Sequence, residues 1–406
     1  MKRPYGLLVV MALFSLLLVQ RVLPLAAQGE DWLPAPTGPY QVGTALFHWV
    51  DVTRDETYTD DPNDKRELVV QLWYPADVEE GAIPAMYLPY AEIEAPYFAS
   101  AWMNERREFT ELSKVLSQTP THSYLDQPIS ASQSNYPVLV FSPGLPGMPH
   151  ASTVQIEELA SHGYVVAAIN HPYISGWTVF PDGRVATTKP TEFFLSGDNL
   201  DQSVIVGVQD QMFVLDQLAL LNEASMDERF SNHLDLDHVG TFGVSWGAWV
   251  TPLAGLLDDR FTAAMVQVSH SRVVPQVVEE GLDIPVMFVD TQNDNSRLGY
   301  FSAEGPVYLV KIRQISNLGP GDFLLWPGAE DQWQSYERGD LEPARMLQLV
   351  NAYILAFFNR YLKGEDAPLL EGPSPDYPEV EIQARNVSVE AATPPQDIAR
   401  QRETRS

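Results

Sequence analysis

Two continuous apolar runs with a helical segment between them constrain the fold of this chain most strongly. Residues 136–142 and 164–170 are apolar almost throughout, and residues 153–162 have helical spacing. Continuous apolar runs, unlike alternating ones, indicate strands buried on both faces of a parallel sheet. Strands alternating with helices predict an α/β protein with a mostly parallel central sheet flanked by helices. The same pattern predicts further strands at 67–75, 238–243, 263–268, 285–290 and 308–315, and helices at 206–221, 246–257 and 344–362.

One domain, roughly residues 35–370, accounts for this alternation. Residues 30–65 are polar and rich in turn formers, and residues 76–130 are predicted as an irregular insertion with one helix at 102–116. Residues 371–406 are polar and rich in proline, which predicts a partly disordered tail.

The N-terminus has the order of zones that is typical of a secretory signal peptide. Lys2 and Arg3 precede an apolar run, residues 6–19, and small residues end the segment near Ala27. An uncleaved membrane anchor is the alternative, but the run is shorter than the roughly 20 residues that a bilayer span needs. We therefore expect residues 1–27 to be removed, the mature protein to be secreted or periplasmic, and no stable membrane span to remain.

Charge and cysteine content exclude several classes of function. The formal net charge is −29, which argues against nucleic-acid binding through a basic surface. The chain has no cysteine, so cysteine catalysis, a lipidated N-terminal cysteine and cysteine-type zinc sites are excluded. We expect no cofactor or metal.

A candidate nucleophile lies in the pentapeptide Gly243-Val244-Ser245-Trp246-Gly247. Its G-x-S-x-G spacing falls between a predicted strand and a predicted helix, which is the context of a serine nucleophile elbow. Such a turn exposes Ser245 and aims the backbone N–H of Trp246 at a developing oxyanion. The alternative is a strand–turn–helix whose glycines serve packing and whose serine is incidental.

A second oxyanion donor is predicted in the loop that follows residues 136–142. This loop, 143–147, contains two glycines and ends an apolar strand, and ligands bind beyond the carboxyl ends of parallel strands. Pro143 and Pro146 have no N–H to donate, so Leu145 is the preferred donor. An ordinary connection between a strand and a helix would have the same composition.

With these residues the chain resembles the α/β-hydrolases, and within them the platelet-activating factor acetylhydrolase group and related dienelactone-hydrolase-like proteins. The resemblance covers most of residues 37–365. It implies an α/β-hydrolase fold and a Ser–His–Asp esterase, acting without a metal on short or oxidised acyl chains of phospholipids or on other esters. The matching segments are residues 37–44, 71–75, 140–147, 160–164, 259–261 and 357–364, together with the elbow.

The sequence departs from the family pattern at three places. The family's acid position falls near Val268 or Ser269, neither of which carries a negative charge. Pro143 stands where the family usually has histidine. Asn317 occupies the position of the catalytic histidine, and none of the eight histidines lies after His270.

Other residues are therefore needed as acid and base. Asp294 follows the predicted strand at 285–290, where many α/β-hydrolases carry their acid, although a solvated turn explains it equally well. His270 ends a predicted strand on the expected active-site edge and is the preferred base, ahead of His171. His150 is a candidate substrate contact.

Two hypotheses follow: an exported serine esterase acting on lipid or small-molecule esters through Ser245, or a catalytically impaired homologue that binds such esters.

Overall fold

A computed structural model describes most of the chain. The described residues are 32–94, 96–97, 107–194, 196–223, 226–269, 274–291, 296–314, 320–328 and 340–387.

A single large sheet organises the described residues. Its strand order is β13-β12-β11-β10-β9-β5-β6-β2-β1-β4-β3, and the six strands from β12 to β6 run parallel to one another. A separate hairpin pairs β7 with β8. The strands are β1 Gln41–Asp55, β2 Lys65–Ala76, β3 Pro84–Met86, β4 Pro120–Leu125, β5 Tyr136–Ser142, β6 Val165–Asn170, β7 Trp177–Val179, β8 Val185–Thr187, β9 Leu234–Val244, β10 Phe261–Gln267, β11 Val286–Asp290, β12 Val307–Ile312 and β13 Val380–Arg385.

Helices cover both faces of this sheet. The apolar side chains of α2 and α8 pack on one face, and those of α4, α5, α6 and α7 pack on the other. This layering buries the parallel strands on both sides, so the predicted α/β class with a mostly parallel sheet is confirmed. The helices are α1 Arg107–Gln118, α2 Thr153–Ser161, α3 Thr191–Phe194, α4 Asn199–Asn222, α5 Gly247–Leu257, α6 Pro275–Glu280, α7 Arg297–Ser302 and α8 Pro343–Leu362.

Helix α4 is unusually apolar. Of the helices that the structure describes, α4 alone is long and apolar enough to cross a bilayer, judged by length and composition. Half of its most apolar stretch is buried inside the protein, and Asp210 and Gln211 on it are fully buried. A helix that is apolar nearly all round is found in the core of a large protein as well as in a membrane.

Three parts of the fold differ from the sequence-based expectation. The turn-rich segment at residues 30–65 contains β1, whose mixture of buried and exposed positions gives no continuous apolar run. The insertion at 76–130 adds β3 and β4 to the sheet edge. Strand β13 pairs antiparallel with β12, so the sheet extends past the boundary predicted at residue 370. Strand β13 lies at the edge of the sheet, half of its positions are polar and all but Val380 are at least partly exposed, so its composition resembles that of a disordered tail.

Candidate active site

Ser245 lies in a sharp turn between β9 and α5. Its backbone φ is +55°, in the left-handed region that residues other than glycine seldom adopt. Its N–H donates to the carbonyl oxygen of Gln267 at 3.0 Å, which ties the turn to the end of β10. A half-buried serine held in this strained conformation between a strand and a helix has the geometry of a nucleophile elbow.

The glycines on either side of Ser245 are required by close packing. A side chain at Gly247 would collide with the carbonyl oxygen of Ser142, and one at Gly243 would collide with the backbone of Gly247. The start of α5 therefore rests directly on the end of β5. Substitution of Gly247 would force these two elements apart.

The loop after β5 lies against the serine. A Cβ on Gly144 would be 3.2 Å from the Cβ of Ser245 and 3.7 Å from its Oγ. Leu145, the predicted oxyanion donor, follows in this loop and is half-buried. Trp246, the other predicted donor, is 1% exposed and immediately precedes α5. The structure therefore brings the loop that carries Leu145 next to the turn that carries Ser245 and Trp246.

The predicted acid and base, Asp294 and His270, lie outside the described residues, as does Asn317. The residues next to two of these positions are described and are joined to each other. The Oγ atoms of Ser269 and Ser296 are 2.9 Å apart, and both side chains are buried. The carbonyl oxygen of Ser269 also accepts from the indole of Trp249 on α5 at 2.8 Å.

Val268, one of the two residues near the family's acid position, has an unusual backbone. Its φ is +52°, a genuine outlier for a β-branched residue, and its side chain is 1% exposed. The neighbouring strand end carries Asp290, whose carboxylate accepts from the N–H and the hydroxyl of Ser296 at 2.9 and 2.6 Å. Asp290 is thus a buried acid on this edge that the sequence analysis did not single out.

His171 is fully buried, and both of its ring nitrogens are engaged. Nδ1 lies 2.8 Å from the carboxylate of Asp210, and Nε2 lies 3.1 Å from the Oγ of Ser142. Burial lowers the pKa of His171, against the opposing effect of the hydrogen bond to Asp210. With both nitrogens occupied, the ring is a neutral part of the core and has no nitrogen left for Ser245. The sequence signal that we missed was the polar pair Asp210-Gln211 inside an apolar helix.

His150 follows the loop of residues 143–147 and is also buried. Burial lowers its pKa to about 3, so the ring is neutral, and its Nε2 has no hydrogen-bond partner among the described residues. It lines a small cleft together with Tyr90 and Glu94. Burial raises the pKa of Glu94, which accepts from the N–H of Tyr90 and the indole of Trp177. His150 remains a predicted substrate contact.

Asp322 lies five residues after position 317, and its hydrogen bonds fix this segment against α2 and Tyr87. It is fully buried, and its carboxyl accepts from the N–H of Val154, at the start of α2, at 3.3 Å. The hydroxyl of Tyr87 donates to the same carboxyl at 3.2 Å. In the described part of the chain, no group of three or more histidine, aspartate and glutamate side chains is arranged to hold a metal ion.

Comparisons with known proteins agree with this geometry. The sequence profile of the family described as platelet-activating factor acetylhydrolase, isoform II, matches residues 25–208. A probable 1-alkyl-2-acetylglycerophosphocholine esterase from Arthroderma benhamiae is 24% identical, with 86% of this chain and 92% of the relative covered. This chain is similar to the platelet-activating factor acetylhydrolases. The acetylhydrolase of Canis lupus familiaris is 21% identical, over 85% of this chain and 80% of its own.

A solved structure supports the fold independently. The ferulic acid esterase from Streptomyces cinnamoneus superposes with a TM-score of 0.71 and 25% identity, covering 86% of this chain and 98% of the esterase. The resemblance inferred from the sequence is therefore confirmed, and these relatives support a hydrolase of lipid or other esters.

Proposed function

We propose that this chain is an exported serine hydrolase that cleaves carboxylic esters of short-chain lipids or small molecules. Ser245 attacks the ester carbonyl, the acyl C–O bond breaks, and the alcohol leaves with the proton from the serine hydroxyl; water then hydrolyses the acyl-enzyme to the free acid. The backbone N–H groups of Leu145 and Trp246 stabilise the oxyanion. One observation carries the proposal: the strained Ser245 lies directly beside the Gly144 loop. A packing turn with an incidental serine has no need of that strain or of that neighbour.

In this proposal Asp294 is the acid and His270 is the base. The buried contact between Ser269 and Ser296 supports it, because it joins the residues that adjoin the two segments. The backbone N–H of Ser245 also donates to the carbonyl oxygen of Gln267, which lies three residues before His270. His171 is not available for the role, since Ser142 and Asp210 occupy both of its nitrogens.

Labelling with a fluorophosphonate tests the nucleophile. The purified protein should take up one label, and Ser245→Ala should lose both the label and hydrolysis of p-nitrophenyl acetate. Ser134→Ala, an exposed serine, is the matched control and should keep both. An unlabelled wild type without a Ser245-dependent rate would sink the enzyme hypothesis.

Three esters separate the substrate classes. The names of the relatives suggest a 2-acetyl glycerophosphocholine and a ferulate ester, and p-nitrophenyl acetate reports generic esterase activity. We expect the highest kcat/KM on a short acyl chain. A preference for methyl ferulate over both acetyl esters would exclude the proposed preference for short acyl chains.

A catalytically impaired homologue is the second candidate, and Asn317 is the observation that favours it. Asparagine does not accept a proton near neutral pH, and loss of the base in a triad hydrolase costs on the order of a millionfold in kcat. His270→Ala should abolish activity if His270 is the base. If His270→Ala has no effect and Asn317→His raises the rate, the impaired homologue is the better description.

Export is part of the same proposal and has its own test. The segment 1–27 should be absent from the mature protein, so N-terminal sequencing of the protein recovered outside the cytoplasm should begin near Gln28. Retention of the full segment in a membrane fraction would support an anchor instead.

A further inference from the structure

Ser142, His171 and Asp210 form a buried serine–histidine–aspartate arrangement beside the elbow. The two hydrogen bonds measure 3.1 and 2.8 Å, and all three side chains are fully buried. Without access to a substrate, this group has no direct part in chemistry. Its position is informative instead, because Ser142 ends β5 and the Gly144–Leu145 loop begins immediately after it.

The direction of each hydrogen bond follows from charge. The carboxylate of Asp210 only accepts, so Nδ1 of His171 carries the proton and Nε2 accepts from the hydroxyl of Ser142. Gln211 on α4 donates to the same Oγ at 2.9 Å, and Arg66 pairs with Asp210 at 2.6 Å. The hydroxyl of Ser142 thus donates to His171 and accepts from Gln211, which holds Ser142 in one position.

The same ring contacts the elbow. The rings of His171 and Trp246 meet edge to face, with centroids 5.0 Å apart and an interplanar angle of 75°. The indole N–H of Trp246 donates to Ser203 of α4 at 2.9 Å. There is no space for a side chain at Gly207 of α4, since its Cβ would lie 2.5 Å from the indole ring.

We propose that His171 is a positioning residue that sets the spacing of the oxyanion hole. Through its hydrogen bond it holds Ser142, and with it the loop of Leu145, and through its ring it holds Trp246. The two N–H donors sit on separate segments, so their separation depends on a group that contacts both. This inference rests on the proposed function and adds a residue that never touches the substrate.

Ser142→Ala is the principal test, because it removes the hydroxyl with little change in volume. We expect kcat to fall about tenfold to a hundredfold, below the roughly hundredfold to thousandfold cost of deleting an oxyanion donor. KM should stay within about threefold, since a misplaced donor weakens transition-state binding more than substrate binding. Affinity for a trifluoromethyl ketone, which forms an oxyanion on Ser245, should fall by the same factor as kcat/KM.

His171→Phe is the second variant, since it keeps a ring against Trp246 and removes both hydrogen bonds. It should show the same division between kcat and KM. Ser175→Ala is the matched control, because Ser175 is buried and its Oγ accepts from the backbone N–H of His171 at 2.9 Å, away from the ring. It should lower the melting temperature without lowering kcat.

Three outcomes would overturn the proposal. Wild-type kcat in Ser142→Ala, or a loss confined to KM or melting temperature, removes the positioning role while the proposed function stands. An equal fall of kcat in Ser175→Ala attributes the effect to general disruption. A wild type without labelling or Ser245-dependent hydrolysis overturns both proposals together, since no oxyanion would then form.

Discussion

The two faces of the central sheet bury polar groups in different ways. On one face, residues near α4 form the α4 network, and on the other, residues near α2 form the α2 network. Both are buried, and both adjoin the elbow segments. The α4 network contains Glu56, Arg66, Ser142, His171, Asp210, Gln211 and Thr241, and the α2 network contains Tyr87, Gln155, Glu157, Gln267 and Asp322.

The α4 network is balanced by two guanidinium groups, those of Arg66 and of Arg54, which pairs with Asp210 at 2.9 Å. Arg66 is 2% exposed and donates to both Asp210 and Glu56. Burial by itself raises the pKa of Asp210, but Arg66 and the hydrogen bond from His171 outweigh it and hold that pKa below its usual range. Asp210 therefore stays ionised inside the core.

The α2 network has no guanidinium or ammonium partner among the described residues. Burial, together with the nearby Glu157, raises the pKa of Asp322 to about 8, against the lowering effect of the hydrogen bonds from Val154 and Tyr87. Burial also raises the pKa of Glu157 to about 7, against the lowering effects of Ser123 and His122. Of these buried carboxyl groups, Asp210 keeps its charge beside arginine, whereas Asp322 keeps its proton at neutral pH.

The largest expected effect on stability follows from breaking the buried ion pair between Asp210 and Arg66. Asp210→Asn should lower the free energy of unfolding by about 3–5 kcal/mol, because it leaves Arg66 and His171 buried without their main acceptor. Urea denaturation at neutral pH measures this change. Asp216→Asn is the matched control, since Asp216 lies on the same helix, pairs with Arg260 and is 60% exposed. It should change stability by less than about 1 kcal/mol. Equal losses in the two variants would show that the buried network has no special weight.

The next largest effect is a dependence of stability on pH, which arises from the carboxyl groups of the α2 network. In the folded state Asp322 and Glu157 have pKa values of about 8 and about 7, whereas their ordinary values are 3.8 and 4.5. The folded chain therefore binds more protons than the unfolded chain between these limits. The stability that these groups contribute is complete below about pH 4 and is lost as the pH rises through the folded values, by up to about 1.4 kcal/mol per pH unit for each group.

Asp322→Asn tests this dependence. The amide stays neutral at every pH, so the decline of urea midpoints between about pH 5 and about pH 8 should become shallower in the variant. Asp237→Asn, at an exposed aspartate, should leave the decline unchanged. A wild type whose stability is flat or rises across this range would contradict the assigned direction.

Much of the fold was predictable, for a physical reason. The strands β5, β6 and β11 are buried on both faces, so their sequences are continuously apolar and stand out. Strand β1 mixes buried and exposed positions and half of the positions in the edge strand β13 are polar, so their composition predicts turns or a tail rather than strands. Local patterns report burial, and partial burial leaves a weak pattern.

The site was predictable only where one segment defines it. The elbow at Ser245 is contained in five consecutive residues, whereas the network around His171 joins Arg66, Ser142 and Asp210 from distant parts of the chain. A histidine at a strand end gives no sign of which partners occupy its nitrogens. The acid and base, Asp294 and His270, stay predictions.

The smallest effect compares one glutamine from each network. Gln211 donates to Ser142 and accepts from Thr241, so Gln211→Leu leaves two buried hydroxyls short of a partner and should cost about 1–3 kcal/mol. Gln267 donates to Gln155, but its own Oε1 has no partner among the described residues. Gln267→Leu leaves the Oε1 of Gln155 without its donor but also removes an unpartnered buried oxygen, so its net cost should be less than about 1 kcal/mol.

Replacing both glutamines of the α2 network sharpens this contrast. In the double variant Gln155→Leu/Gln267→Leu, the lost hydrogen bond is offset by the removal of the Nε2 of Gln155 and the Oε1 of Gln267, two buried atoms without described partners. We expect urea midpoints equal to or above those of the wild type, since apolar replacement of both partners is often neutral or stabilising. A loss as large as that of Gln211→Leu would mean that the two faces are equally well partnered, and the distinction between a balanced and an unbalanced network would then rest on the carboxyl groups alone.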